Sequence, residues 1–211
     1  DEDFVSKLFV ANTHDTLLCF SSYGKVYWIK VYRLPRGGRN AKGRPIVNLL
    51  PLEKDERIQA VLPVKEFNDD QFIFMATETG SVKKTKLSAY SRPMKSGIKA
   101  IKLRDGDRVV NAEITDGTKE IMLFSNSGKS IRFKESDARP MGRVSQGVRG
   151  MRIDKDQKII SLVVLEEGNI LVATENGYGK QTLKDEFSIQ KRGGKGVIAI
   201  QTSDRNGNLI G

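Results

Sequence analysis

The chain has 211 residues, a net charge of +10, an isoelectric point near 9.7 and 38% hydrophobic residues. This balance fits a globular protein with a sizeable core and excludes an intrinsically disordered chain. No apolar run reaches the roughly 18 residues of a membrane span, and the acidic start has no signal-peptide pattern. The one cysteine, Cys19, lies among apolar residues, as expected of a core thiol in a reducing cytoplasm.

An internal repeat of about 50 residues organises the chain. Glycines at positions 24, 80, 128 and 177 each follow a short apolar run with Ser or Thr three positions earlier. A second glycine follows 17 to 19 residues later, at positions 43, 97, 147 and 196. The runs are rich in Val, Ile and Phe and are bounded by turn residues, which is typical of strands. The repeat predicts an all-β, propeller-like array of four-stranded blades, at approximately residues 11–64, 70–115, 119–165 and 169–211.

Both ends of the sequence look like partial repeats. Residues 1–10 resemble the closing segment of a preceding unit, and residues 209–211 lie inside another closing segment. We therefore expect a single domain that is one piece of a longer array, because isolated blades leave unpaired strand edges.

Basic charge is concentrated in the same part of every repeat. The four spans between paired glycines hold 21 of the 36 Lys and Arg residues but only 4 of the 26 Asp and Glu residues. In an array, equivalent loops share one rim, so the pattern predicts a continuous positive track that suits a curved phosphate backbone. The sequence shows no basic amphipathic helix, which would favour binding to anionic lipid. It also shows no recognition helix, which would indicate readout of base sequence. We therefore expect DNA binding with little sequence specificity.

The candidate contacts lie in and beside these spans. Taken repeat by repeat, they are Arg33, Arg36, Arg39, Lys42 and Arg44; Arg92, Lys95 and Lys99; Arg139, Arg143 and Arg149; and Lys191, Arg192 and Lys195. The strand cations expected to widen the track are Lys30, Lys84, Lys86, Arg132 and Lys134. The sharpest local motif is Gln190-Lys191-Arg192-Gly193-Gly194-Lys195-Gly196, in which cations flank glycines that let backbone amides approach phosphates.

Catalytic and metal chemistry finds little support in the sequence. His14 is the only histidine and Cys19 the only cysteine, so we predict neither a zinc site nor a histidine-based triad. The pairs Asp105/Asp107 and Asp154/Asp156 recur at one hairpin, which favours structural turns over a magnesium site. Gly43 is followed by Arg-Pro and not by Lys-Ser or Lys-Thr, so the segment is no P-loop. Trp28 is interpreted as strand packing.

The motif at residues 190–196 resembles the box that marks the C-terminal domain of the A protein of DNA gyrase. Further similar stretches are residues 10–15, 43–52, 74–77, 132–136 and 176–180, so that the resemblance covers almost the whole chain. It implies a six-bladed β-pinwheel, of which about four blades are present, with strands exchanged between adjacent blades. It also implies wrapping of duplex DNA around the outer rim, in support of ATP-dependent negative supercoiling.

The resemblance further implies partners and a location. These are the gyrase A catalytic domain and gyrase B in an A2B2 holoenzyme, in the bacterial cytoplasm at the nucleoid. ATP, Mg²⁺ and the cleaving tyrosine would belong to other domains, so no cofactor and no catalysis are expected of this chain. In the family the box lies in the first blade, whereas here it lies in the last repeat. Two interpretations follow: residues 190–196 are the principal box, or they are a second box-like loop.

Two other functions remain as alternatives. The equivalent domain of topoisomerase IV would bind DNA but wrap it less, and the box-like motif argues against it. A protein-interaction propeller would bind its partner with little dependence on salt.

Overall fold

The computed structural model describes residues 8–38 and 41–211 and contains fourteen strands in that part of the chain. In order, they are β1 (Thr16–Ser21), β2 (Lys25–Lys30), β3 (Ile58–Val64), β4 (Phe72–Thr77), β5 (Ser81–Lys86), β6 (Ile98–Lys99), β7 (Val109–Thr115), β8 (Glu120–Ser125), β9 (Lys129–Lys134), β10 (Val148–Arg149), β11 (Ile159–Leu165), β12 (Asn169–Ala173), β13 (Gly179–Leu183) and β14 (Val197–Ile198).

Helical structure among the described residues is limited to five single turns of 3-10 helix. They span Val31–Arg33, Ile46–Asn48, Leu87–Tyr90, Glu135–Asp137 and Lys184–Glu186. No helix in this part of the chain is long and apolar enough to cross a membrane. The all-β prediction is confirmed.

Three four-stranded antiparallel sheets form the first three blades, and each borrows a strand from the following repeat. Their orders are β3-β1-β2-β6, β7-β4-β5-β10 and β11-β8-β9-β14. The borrowed strands β6, β10 and β14 each follow the second glycine of the next repeat. The strand exchange implied by the resemblance is therefore present.

The fourth blade contains two paired strands, β12 and β13. Residues 209–211 lie beside β12, where the backbone N–H of Ile210 donates to the Ala173 carbonyl at 2.9 Å. This segment occupies the place that β3, β7 and β11 hold in the other blades.

The first glycine of each repeat closes the hairpin inside its blade. Gly80 and Gly128 adopt φ of +86° and +77°, and each donates its N–H to the carbonyl of the Thr or Ser three residues earlier, at 3.0 Å. Left-handed φ is the region that glycine enters without a steric penalty. The recurrence of Ser or Thr followed by glycine in the sequence thus reflects one repeated turn.

The hydrophobic cores lie between adjacent blades. In β4, Ile73 and Met75 pack into the core shared with blade one, whereas Phe74 and Ala76 pack into the core shared with blade three. Strand β8 divides in the same way between the second core and a third core shared with blade four. Because side chains alternate across a strand, a central strand that is covered on both faces must be apolar throughout. This explains the unbroken apolar runs of the sequence.

Candidate nucleic-acid interface

The segment that ends at the second glycine of each repeat carries most of the predicted contacts. We call these segments the basic loops: residues 34–43, 91–97, 138–147 and 187–196. A Cβ on Gly147 would lie 2.4 Å from the Val82 carbonyl oxygen, and one on Gly196 would lie 2.3 Å from that of Ser130. Backbone of the preceding blade thus touches each of these glycines, which places the basic loop at the junction between two blades.

Backbone hydrogen bonds link the segment just after the second glycine of repeats two and three to the basic loop of the following repeat. The N–H of Lys102 donates to the Ser145 carbonyl at 3.1 Å, and the equivalent N–H of Arg152 donates to the Gly194 carbonyl at 2.8 Å. Gly193 also donates to Gly150 at 2.6 Å. Each of these two basic loops is therefore docked on the segment that follows the basic loop of the preceding repeat.

An arginine four residues before the second glycine reaches back to the strand that the preceding repeat donates. Arg143 Nη1 donates to the Lys99 carbonyl at 3.3 Å, and Arg192 Nη1 donates to the equivalent Arg149 carbonyl at 2.9 Å. Arg192 Nε also donates to the Asp137 carbonyl at 2.8 Å. Both arginines are half-buried. They act as latches between blades, and this role was not visible in the sequence.

Most other predicted contacts are exposed. These residues are Lys30, Arg33, Arg36, Lys42, Arg44, Lys86, Arg92, Lys95, Lys99, Lys134, Arg139, Arg149, Lys191 and Lys195. In the motif at 190–196, Gln190 and the three glycines are half-buried, and the Gln190 N–H donates to the Arg132 carbonyl. Arg39 lies outside the described residues. The structure thus presents the lysines of the motif to solvent and holds its arginine against blade three.

Lys84 and Arg132 were expected in the exposed track, and the structure corrects this. Their relative exposures are 4% and 7%. Lys84 Nζ donates to the Glu135 carbonyl at 3.1 Å. Arg132 Nη1 donates to the Lys184 and Phe187 carbonyls at 2.5 and 2.9 Å, and its Nη2 pairs with Glu120 at 2.5 Å. Both cations are covered by the 3-10 turn of the next blade, so a phosphate cannot reach them.

Trp28 holds the equivalent place in blade one. Its Nε1 donates to the Tyr90 carbonyl at 2.8 Å, in the 3-10 turn of blade two. The fourth residue after the first glycine is therefore a donor to the next blade in three successive repeats. Trp28 packs, as the sequence suggested, and also carries this hydrogen bond.

Some of the strand cations form ion pairs with carboxylates of the same chain. Lys86 pairs with Asp69 at 3.2 Å. Hydrogen bonds from Ser88 and Lys86 lower the pKa of Asp69. Within the described part of the chain, Lys95, Lys134, Arg139, Lys191 and Lys195 have no such partner. Those five side chains are free to meet an external anion.

Three cations near this surface escaped the sequence interpretation. Lys83 is fully buried, and its Nζ donates to the carbonyls of Ala100, at 2.6 Å, and Arg143. Burial, with a contribution from Arg143, lowers the pKa of Lys83 to about 7. Arg104 and Arg152 are exposed beside Arg149. Nothing in the local sequence distinguishes these three residues from ordinary surface cations.

Carboxylates at the hairpins act as turn residues. Asp107 accepts hydrogen bonds from the Thr79 N–H at 3.0 Å and from Thr79 Oγ1 at 2.7 Å. Among residues 8–38 and 41–211, no three His, Cys, Asp or Glu side chains lie together in a way that could hold a metal ion.

A protein-family model and similar known proteins indicate the same family. A family model described as the DNA gyrase C-terminal domain, a β-propeller, matches residues 15–65, 71–116, 119–166 and 168–211. The DNA gyrase A protein of Salmonella typhimurium is 53% identical over 212 residues, which cover 100% of this chain and 24% of that protein. The chain thus spans about a quarter of the length of such relatives.

Two solved structures superpose on most of this chain. The C-terminal domain of DNA topoisomerase IV superposes with a TM-score of 0.85 and 30% identity, over 93% of this chain and 62% of that one. The DNA gyrase A C-terminal domain superposes with a TM-score of 0.78 and 28% identity, over 94% and 65%. From its blades, its strand exchange and these matches, the chain belongs to the family of DNA gyrase A C-terminal domains.

Proposed function

We propose that this chain binds duplex DNA through its basic loops, without sequence specificity, and bends or wraps the duplex around the array. The observation that carries the proposal is the docking of the basic loops of repeats three and four on the preceding repeat, which places a cationic segment at two successive blade junctions. The names of the gyrase relatives support the same function.

The proposed mechanism is electrostatic. Bending a site of 20–30 base pairs costs on the order of 1–6 kcal/mol. Each phosphate neutralised by Lys or Arg releases counterions and contributes about 0.9 to the slope of log K against log salt. Cations spread over four blades act at several points along the duplex, so the gain from contacts can offset the bending energy.

Within the motif at 190–196, we assign different tasks to its cations. Lys191 and Lys195 are exposed and unpaired and would contact phosphates. Arg192 is engaged with the Asp137 and Arg149 carbonyls and would set the angle between blades three and four. The wrapped path depends on that angle, whereas affinity depends mainly on the lysines.

At the level of the whole protein, we propose a non-catalytic part of a bacterial type II topoisomerase. Its partners would be the gyrase A catalytic domain and gyrase B, in the cytoplasm at the nucleoid, and it would support negative supercoiling. ATP and Mg²⁺ would act in other domains.

The first test is binding of the chain to linear duplexes of increasing length across a salt series, with ligation of nicked circles as the readout of linking number. A steep salt slope with a topological shift supports wrapping. A steep slope without a shift would limit the function to DNA binding. Weak binding with little salt dependence would contradict the proposal and favour a protein partner.

The second test separates contact from positioning. Lys191→Ala/Lys195→Ala should lower the salt slope by about 1 to 2, one unit for each lost phosphate contact. Arg192→Ala should reduce the linking-number shift more than it reduces affinity. Equal wrapping by the triple Ala variant of Lys191, Arg192 and Lys195 would exclude this loop as a main anchor.

A second candidate is binding with less wrapping, as expected of a topoisomerase IV domain. The TM-score of 0.85 to such a domain favours it. The motif at 190–196 favours the gyrase type. The linking-number shift per bound chain distinguishes the two.

A further inference from the structure

A polar cavity of about 460 Å³ lies between blades two and three, beside the end of the third basic loop. Its charged and hydroxyl lining comprises Arg104, Arg149, Arg152, Thr79 and Ser81. The other lining residues are Gly147, Val148, Met151 and Ile153, so three arginines and no acidic residue line the cavity.

The three arginines have no internal partner. Among the described residues, none of their guanidinium groups forms an ion pair or donates a hydrogen bond, and all three side chains are exposed. The Asp107 carboxylate behind the cavity is buried and already accepts two hydrogen bonds from Thr79. Three like charges in one cavity repel each other unless an anion joins them.

The equivalent junction between blades three and four lacks the three arginines, although Lys129 stands there in the place of Ser81. Matching backbone hydrogen bonds align Arg104 with Asp154 and Met151 with Ile200, so that Arg152 corresponds to Gln201, and the borrowed strands align Arg149 with Ile198. The fold therefore does not require arginine at positions 104 and 149, since the same backbone contacts form with Asp154 and Ile198.

The residues that line the cavity indicate which class of anion it can bind. Arg presents a planar fork of donors that matches phosphate oxygens, and no aromatic side chain in the cavity offers a surface on which a base could stack. Phosphate is favoured over a nucleotide base or an apolar ligand.

We propose that this cavity is a phosphate socket that holds one backbone phosphodiester of the bound duplex. The inference deepens the proposed function and rests on it. Because the arginines are exposed, a phosphate that remains part of a continuous strand can enter. The socket would then fix the register of the duplex between the basic loops of blades two and three, a role that scattered surface lysines cannot supply.

The test compares two charge-matched triple variants in the DNA salt series. Arg104→Gln/Arg149→Gln/Arg152→Gln should lower the slope by about 1 and weaken binding about tenfold at fixed salt. The control, Lys54→Gln/Lys65→Gln/Lys155→Gln, removes three exposed cations outside the glycine spans and should change affinity much less. Equal losses in both variants would overturn the socket, since net charge alone would explain them.

A gain-of-function variant and a phosphate titration complete the design. Asp154→Arg/Ile198→Arg/Gln201→Arg should raise the salt slope by about 1, because all three positions are exposed and share the backbone of the socket. Inorganic phosphate should shift the Nε–H signals of Arg104, Arg149 and Arg152 in NMR spectra, and a short duplex should shift them at lower concentration. Shifts with phosphate but none with duplex would assign the cavity to the free anion and overturn the backbone assignment. If the unmodified chain does not bind DNA, the proposed function fails, and an absence of phosphate shifts would then exclude the socket independently.

Discussion

The junction between blades two and three and the junction between blades three and four share a backbone scaffold but differ in side-chain chemistry. Each has a first glycine against the next blade's backbone, an arginine latch and a buried strand cation. The first has Lys83 where the second has Ile131, and three free arginines where the second has Asp154, Ile198 and Gln201.

This difference separates architecture from binding. The shared contacts all end on backbone carbonyls, which every residue type supplies, so the scaffold can repeat while the sequence diverges. The differing side chains have other roles. We assign the three arginines to binding of an external ligand, and Lys83 to a pH dependence found at one junction.

The largest expected effect comes from the first glycine at the second junction. A Cβ on Gly128 would lie 2.1 Å from the Ile200 carbonyl oxygen, at a φ of +77°. Gly128→Ala should destabilise the chain by at least about 3 kcal/mol, because both the backbone strain and the clash between blades must be relieved. Gly177→Ala has the same kind of φ, +80°, but open space around it, and should cost about 1 to 2 kcal/mol. Urea unfolding of both variants measures the difference, and equal losses would contradict the role given to the blade contact.

The next effect concerns the buried strand cation. Arg132→Met should cost roughly 3 kcal/mol, because it leaves the Lys184 and Phe187 carbonyls and the Glu120 carboxylate without their donor. Lys134→Met, two residues along the same strand and exposed, should change stability by no more than about 0.5 kcal/mol. Thermal unfolding compares the pair, and a small effect at Arg132 would mean that the turn of blade four does not need this support.

The arginine latches should give a smaller effect. Arg192→Ala removes two hydrogen bonds at a half-buried site and should cost about 1 to 2 kcal/mol. Arg143→Ala removes one longer hydrogen bond and should cost less. Hydrogen exchange of the Gly193 amide, which donates to Gly150, provides a local measurement. Unchanged protection in Arg192→Ala would contradict the latch.

The last effect is a pH dependence confined to the junction between blades two and three. The folded pKa of Lys83 is lowered to about 7 from 10.5, so above pH 7 the unfolded chain retains a proton that the folded chain has released. Stability should therefore rise between pH 7 and 8.5, by at most about 1.4 kcal/mol per pH unit. Cys19, whose pKa is raised from 9.0 to about 12, acts in the opposite direction only above that window. Lys83→Met should lack this slope in urea unfolding, and an identical slope in both proteins would assign it to other groups.

Fold and site were predictable to different degrees. The glycine spacing and the short apolar runs predicted the blades. A hairpin turn requires glycine at a fixed position, and a strand covered on both faces requires an unbroken apolar run, so both can be recognised in the local sequence. The predicted contacts Lys84 and Arg132 were wrong, although their neighbours Lys86 and Lys134 are exposed. Residues two apart on a strand share a face, so only the turn of the next blade decides which of them is covered.

The repeat, the strand content, the concentration of basic charge in one part of each blade and the family resemblance can all be predicted from the amino-acid sequence alone. Each of these depends on short-range patterns that recur four times. The tertiary structure decided which cations are free. In the structure, Arg143 and Arg192 donate to backbone carbonyls, and Lys83 is buried. Arg104, Arg149 and Arg152 line one cavity. The physical reason is that strand exchange joins segments about fifty residues apart, one repeat length, so that burial and pairing at a junction depend on the neighbouring blade.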